Sequence, residues 1–201
     1  MAVIVVPFRG LAGKQRLTGL GPDTHRAVVL AMLADVLATA TTVGETVVVT
    51  NDDDGRRLAT TAGARLVDDP GGGQSPAVAA ALGLLDIDAV LIVNADVPCV
   101  VPDDLRSLLA ATPLGGIAVV ASADGRTNAL SLPAPNLFDP LYGPHSADRF
   151  QRAARDLGLE AVAVAIPNLA DDVDTREDLN RLQLRAGPHT QAALQGLRLA
   201  S

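Results

Sequence analysis

The chain has 201 residues and a formal net charge of −7, with 48% hydrophobic residues but only 2% aromatic ones. That length suits one large domain, and the acidic balance argues against a nucleic-acid or anionic-membrane partner. A core with so few aromatics has to be built from Val, Leu, Ile and Ala, the composition of buried parallel sheets.

The opening Met1-Ala2-Val3-Ile4-Val5-Val6 is too short for a signal-peptide core and lacks a basic lead-in. No apolar run reaches the ~18 residues of a membrane span, so a soluble cytoplasmic protein is expected. Ala2–Val6 reads as a first strand, followed by the basic loop "VPFRGLAGKQRL". Gly21-Pro22-Asp23 opens a helix with Val28, Leu30, Met32, Leu33, Val36 and Leu37 on its inner face. Thr46–Thr50 is a second strand, ended by "NDDDG", whose composition predicts a solvated turn. A short helix stops at Gly63, and Ala64–Val67 makes a third strand. A glycine-rich loop then runs into a helix in "DDPGGGQSPAVAAALGLL". Ala89–Val93 is the most apolar strand and is expected at the centre, ending at "NADVP". The single cysteine, Cys99, excludes an internal disulfide, fits a reducing compartment and is read as structural. A helix at Pro102–Ala111 carries Asp103 and Asp104 in its first turn. Gly116–Ala121 and Ala129–Leu132 are further strands, and a helix at Ser146–Leu157 leads to a last strand, Ala161–Ile166. Thr175 caps a final helix, and the tail after Gly187 reads as a helix, a packing arm or a disordered end. The alternation predicts a doubly wound, Rossmann-like α/β domain over residues 1–186, with a mostly parallel sheet and helices on both faces.

Ligands in such folds sit beyond the carboxyl ends of the strands, where the polar loops of this chain converge. Arg9, Gly10, Gly13, Lys14 and Arg16 form neither a Gly-Lys-Ser/Thr phosphate loop nor a Gly-x-Gly-x-x-Gly fingerprint. They offer backbone amides and cations able to screen a polyphosphate; the alternative is a solvated loop paired with nearby acids. Asp96, at the end of an apolar strand, suits a metal at the sheet edge. A second carboxylate is available in "ADDVDT": Asp172 is the ligand candidate, and Asp174 or Thr175 the helix cap. In "GRTNAL" and "YGPHS", Ser146 caps a helix by default, although a helix amino terminus with a free hydroxyl also suits an anion. His25, His145 and His189 show no ligand or triad spacing, and no activated nucleophile is recognisable. Cations, metal-binding carboxylates and no general base match nucleotidyl transfer, in which an anionic oxygen attacks an α-phosphate.

The ordered motifs "VPFRGLAGKQRL", "PGGGQSPAVAAAL", "NADVP", "RTNAL", "YGPHS" and "DDVDTREDL" resemble those of the 2-phospholactate or phosphoenolpyruvate guanylyltransferases of coenzyme F-420 biosynthesis. That family is related to the molybdenum-cofactor guanylyltransferases and the sugar-nucleotide synthases. The resemblance implies that Arg9, Lys14 and Arg16 hold the GTP phosphates and that Asp96 and Asp172 hold Mg2+. It puts Gly72, Gly73 and Ser75 near the guanine or ribose, and Thr127, Gly143 and Ser146 on the phosphorylated three-carbon acid. Lys14, Arg16 and Asp96 would carry the catalysis. The implied partners are these small molecules, with no nucleic acid or membrane, and a homodimer stays open. The chain departs from the family pattern at Arg9, where Lys is usual, in a slightly shorter first loop, and at Gln74-Ser75 in place of Leu-Asn. The competing readings are a sibling nucleotidyltransferase acting on a sugar phosphate or molybdopterin, and a nucleotide-binding protein without turnover.

Overall fold

The computed structural model of the protein describes residues 2–13, 17, 20–87 and 89–199, with the side chains of 12, 13 and 197–199 excepted. Lys14 and Arg16 lie outside the described residues.

The strands are β1 (Val3–Pro7), β2 (Glu45–Val49), β3 (Arg65–Val67), β4 (Val90–Val93), β5 (Ile117–Ala121), β6 (Thr127–Leu132) and β7 (Ala161–Ala163). They form one sheet in the order β3-β2-β1-β4-β6-β5-β7, which places β4 at the centre as expected. Every pairing is parallel except those of β6, which runs antiparallel to both β4 and β5. The chain works outward from β1 to β3 and then crosses back to β4 on the other side of β1. The order therefore reverses between β1 and β4, the position at which sheets of this kind open a crevice at their carboxyl edge.

The helices are α1 (Pro22–Val43), α2 (Asp53–Thr61), α3 (Gln74–Leu82), α4 (Pro102–Ala111), α5 (Ser146–Asp156), α6 (Pro167–Ala170), α7 (Arg176–Leu182) and α8 (Pro188–Leu199). Successive strand side chains point to opposite faces, and here both faces are covered. Ile4, Val6, Leu91 and Val93 meet Val36 of α1, Leu105 of α4 and Leu182 of α7 in one core. Val3, Val5, Val90 and Ile92 meet Val78 of α3 and Phe150 of α5 in the other. This is why β1 and β4 read as unbroken apolar runs.

Several local expectations are corrected. α1 is long and apolar enough to cross a membrane by length and composition, although no such segment was expected from the sequence. Its buried face packs into the core through Val28, Met32, Leu33 and Val36, as a central helix of the fold. "NDDDG" is not a solvated turn: Asp52 caps α2 by accepting from the Gly55 amide at 2.9 Å. Ser146 is not a cap but the first residue of α5, behind His145 in the left-handed conformation (φ 54°). Thr175 caps α7 as expected, in a reciprocal box with Asp178. The last strand stops at Ala163, and Ile166 already leads into α6.

The tail forms α8, held by a device that its own sequence does not contain. Asp35 of α1 is 3% exposed and accepts from the amides of His189 and Thr190, both at 2.9 Å. A buried carboxylate on α1 thus caps α8 and meets the positive end of its dipole. Gly187 is required beside it, because a Cβ there would run into that carboxylate.

Candidate active site

At the reversal of strand order, the chain leaves β1 through Phe8, Arg9 and Gly10 into a short 3-10 turn, Gly10–Gly13. Gly10 takes φ +56°, and a Cβ on it would lie 2.6 Å from Asp52 Oδ2. Glycine is therefore demanded twice, by backbone conformation and by space. Asp52 is itself pinned by Arg26, whose guanidinium lies 3.3 Å from both of its oxygens and 2.7 Å, through Nε, from Asp54. The cluster after β2 is thus the wall against which the first loop is shaped.

The second loop is built the same way. Asn51 donates to the Asp69 carbonyl (2.6 Å) and accepts from the Asp69 amide (3.1 Å), anchoring the glycine run to the end of β2. Gly71, Gly72 and Gly73 then take φ of 80°, 81° and 114°, conformations that L side chains rarely adopt. They deliver the chain into the amino terminus of α3, where Gln74, Ser75 and Pro76 border the cavity.

Asp96 follows β4, and Asp172 and Asp174 follow α6. Ligand oxygens of these three half-buried carboxylates lie within 4.8 Å of one another. The arrangement is fixed by the residue between the two later acids. Val173 is fully buried in the core, its amide donating to the Asp96 carbonyl at 3.0 Å, so that Asp172 and Asp174 on either side face outward. Asp171 is turned away and bound by Arg181 (2.6 Å) and Arg185 (2.8 Å). Burial would raise its pKa, but those two guanidinia overrule it and hold the carboxyl below the usual range. The acids of "ADDVDT" therefore divide by role: Asp171 is structural, while Asp172 and Asp174 join Asp96. Three clustered hard oxygen donors fit a small divalent cation such as Mg2+.

The far wall comes from β6 and α5. Because β6 is antiparallel, its beginning lies at the same edge as the ends of β1 and β4. The β5–β6 register passes from Val120↔Ala129 to Ala121↔Thr127, leaving Asn128 as a bulge. Bulges of this kind re-aim side chains beside functional sites. Thr127 Oγ1 meets Ser146 Oγ at 2.9 Å. Asn128 donates to the Ala170 carbonyl (3.2 Å), and Asn94 donates to Asn128 (3.3 Å) and accepts from Gln74 (2.6 Å). A carboxamide chain thus joins the glycine loop, the end of β4, the bulge and the loop that carries the acids. Gly143 takes φ +127°, and Arg149 holds the loop before it by donating to the Leu141 carbonyl at 2.6 Å. Ser75 Oγ accepts from the Tyr142 amide (3.2 Å), tying α3 to that same loop.

These elements enclose one cavity of about 420 Å³. Its lining includes Arg9, Gly10, Gly72, Gly73, Ser75, Asp96, Thr127, Gly143, Ser146 and Asp172, all singled out from the sequence. Gly13 belongs to the first turn. Asp174, which the sequence offers only behind Asp172 as the second carboxylate or as a cap, also lines it, as do Asn94, Asn128 and Arg126, to which the sequence assigns no site role. Each lies within or beside a motif already recognised, but the cap expected at Asp174 and the unremarkable carboxamides concealed them.

Comparison with known proteins places this architecture. A family model, the MobA-like NTP transferase domain, matches residues 24–168. The chain is 35% identical over 189 residues to a phosphoenolpyruvate guanylyltransferase from Sphaerobacter thermophilus, covering 90% of this chain and 91% of that one. It is 36% identical over 205 residues to a phosphoenolpyruvate guanylyltransferase from Geodermatophilus obscurus, covering 96% and 94%. Among solved structures, one from Desulfovibrio desulfuricans G20, assigned as a nucleotide-diphospho-sugar transferase, superposes with a TM-score of 0.80 at 17% identity. That match covers 98% of this chain and 95% of the other, and it establishes a shared fold.

Proposed function

The chain belongs to the MobA-like NTP transferases and, within them, to the phosphoenolpyruvate and 2-phospho-L-lactate guanylyltransferase family; on that premise we propose that it transfers GMP from GTP to phosphoenolpyruvate or 2-phospho-L-lactate, a step in coenzyme F-420 biosynthesis. The observation that carries the proposal is the meeting of Asp96, Asp172 and Asp174 in a cavity bordered by two glycine-shaped loops. The product is a guanylylated three-carbon acid, and pyrophosphate is released.

The reaction asks for little covalent help. An oxygen of the acceptor's phosphate, already anionic, forms a bond to the α-phosphorus of GTP while the bond to the β-phosphate oxygen breaks in line with it. No side chain has to remove a proton, which suits a cavity with no histidine or thiol among the described residues of its lining. Arg9 and the turn at Gly10–Gly13, with Lys14 and Arg16 following in sequence, hold the triphosphate and screen its charge. Gly72, Gly73 and Ser75 receive the nucleoside. Asp96, Asp172 and Asp174 hold Mg2+, which when bound lowers the repulsion between the two anionic substrates. Thr127, Gly143 and Ser146 receive the acceptor. One hydroxyl hydrogen of the Thr127–Ser146 pair is used between the two oxygens, and the other is left to donate.

The acidic net charge and lone buried cysteine support a cytoplasmic enzyme of small molecules, with no nucleic-acid or membrane partner. The test is incubation with Mg2+, each nucleoside triphosphate in turn, and phosphoenolpyruvate, 2-phospholactate or 3-phosphoglycerate. Pyrophosphate release with GTP and a three-carbon acid is expected; silence with every acid would remove this reading.

A further inference from the structure

We infer that Arg126 is the residue that recognises the acceptor's carboxylate and so separates phosphorylated carboxylic acids from plain phosphate monoesters. The inference rests on the guanylyltransferase reading and adds to it a residue with no assigned part.

A phosphorylated three-carbon acid brings negative charge at both ends into a cavity that already contains three carboxylates. Its phosphate has to lie toward the α-phosphate and the metal-binding acids, so its carboxylate needs a cation elsewhere. Among the described residues lining the cavity, the cationic side chains are those of Arg9 and Arg126. Arg9 follows β1, in the loop assigned to the triphosphate. Arg126 precedes Thr127 on the β5–β6 hairpin, on the wall shared with Ser146 and Gly143.

The hairpin prepares this guanidinium for a bidentate partner. Asp124 is its hub: Oδ1 accepts from the Ser122 hydroxyl (2.6 Å) and the Arg126 amide (3.1 Å). Oδ2 lies 3.1 Å from Arg126 Nε. The turn is closed by the Arg126 carbonyl accepting from the Ser122 amide at 2.9 Å. Arg126 is thus held through its backbone amide, which donates to Ser122 Oγ and Asp124 Oδ1, and its guanidinium pairs with Asp124 through Nε. A planar guanidinium on the cavity wall, anchored at its backbone, matches the two oxygens of a carboxylate. The pair with Asp124 is about half exposed on both sides, so water screens it and the fork retains its charge toward an incoming anion.

The experiment compares wild type, Arg126→Gln and Arg126→Lys with phosphoenolpyruvate and with ethyl phosphate, which has the phosphate without the carboxylate. Acceptor binding is measured by calorimetry, and turnover with GTP and Mg2+ by pyrophosphate release. Arg126→Gln is expected to weaken phosphoenolpyruvate binding at least about tenfold while leaving GTP affinity within about twofold, as loss of a bidentate charge pair implies. Arg126→Lys should recover part of that loss, and ethyl phosphate should bind wild type and variant equally poorly. Unchanged phosphoenolpyruvate affinity in Arg126→Gln would overturn the inference. So would parallel loss of GTP and acid binding with a lowered Tm, which would mark a hairpin support, or the absence of acid binding in wild type. If wild type binds the acid but releases no pyrophosphate, the guanylyltransferase reading fails while the comparison of variants still decides the part played by Arg126.

Discussion

Neighbouring acids in this chain have opposite tasks, and their surroundings explain the division. Asp171 is neutralised by Arg181 and Arg185, whereas Asp172 and Asp174, separated by the buried Val173, face Asp96. Asp96→Asn removes one charge with almost no change in volume, so the fold should persist while turnover falls by about a thousandfold or more, the scale of losing a charge-stabilising group. Thermal unfolding gives a second readout: Mg2+ should raise the Tm of wild type and not of Asp96→Asn, because only a folded site gathers the three carboxylates. Asp171→Asn should keep turnover near wild type, and a collapse there would mean that the acids are wrongly divided. Cys99 shows the same dependence on surroundings: it is buried, and burial pushes its thiol up, away from the thiolate that reactive cysteines need.

At the scale of elements, α8 depends on a partner far away in the chain. Its first amides donate to Asp35, so Asp35→Ala would strand the buried Thr190 N–H and the part-buried His189 N–H and leave a gap beside Gly187. Hydrogen bonds to a charged group are each worth about 1.5–3 kcal/mol, and the expected loss is about 2–4 kcal/mol by denaturant titration. Asp35→Asn should recover part of it, and a loss below about 0.5 kcal/mol would show that α8 docks by its apolar face alone. This dependence explains why the tail stays ambiguous in sequence: the cap is supplied by α1, at no readable spacing. The strands and most of the helices are legible because Val- and Ile-rich runs and glycine or proline boundaries are local signals. The direction of β6 is also written locally, since the short stretch between Ala121 and Thr127 cannot make a parallel crossover. Its consequence, Thr127 and Asn128 at the same edge as Asp96, needs the assembled sheet. The site divides likewise: glycine loops and Asp96 announce themselves at strand ends, whereas Asn94, Asn128 and Arg126 acquire meaning only from what they meet in space.

For the molecule as a whole, charge pairs of related design brace the site's surroundings, and together they set its response to acid. The guanidinia of Arg57 and Arg26 hold Asp54 below the usual carboxylate range. Asp178 is held low by Thr175 and Arg181 against the opposing effect of burial, and Asp171 by Arg181 and Arg185. A carboxyl with a depressed folded pKa binds fewer protons folded than unfolded between the two values, so stability rises with pH across that window. The contribution of these pairs is present above the unfolded value, about pH 4, and is lost as pH falls through the lower folded values. Asp54 is braced on the first-loop side and Asp171 and Asp178 beside Asp172 and Asp174, so acid should loosen both walls of the cavity together. The expected outcome is a Tm that is nearly flat from neutral pH to about pH 5 and then falls steeply toward pH 3. Arg181→Gln, which removes one partner from each of Asp171 and Asp178 and leaves them Arg185 and Thr175, should lower the Tm at neutral pH and make the fall below about pH 4 shallower. High salt should reduce the difference between variant and wild type, because these pairs are partly exposed to solvent. An Arg181→Gln protein whose Tm follows wild type across the whole pH range would show that the pairs are decoration on a cavity braced by its apolar core and backbone bonds alone.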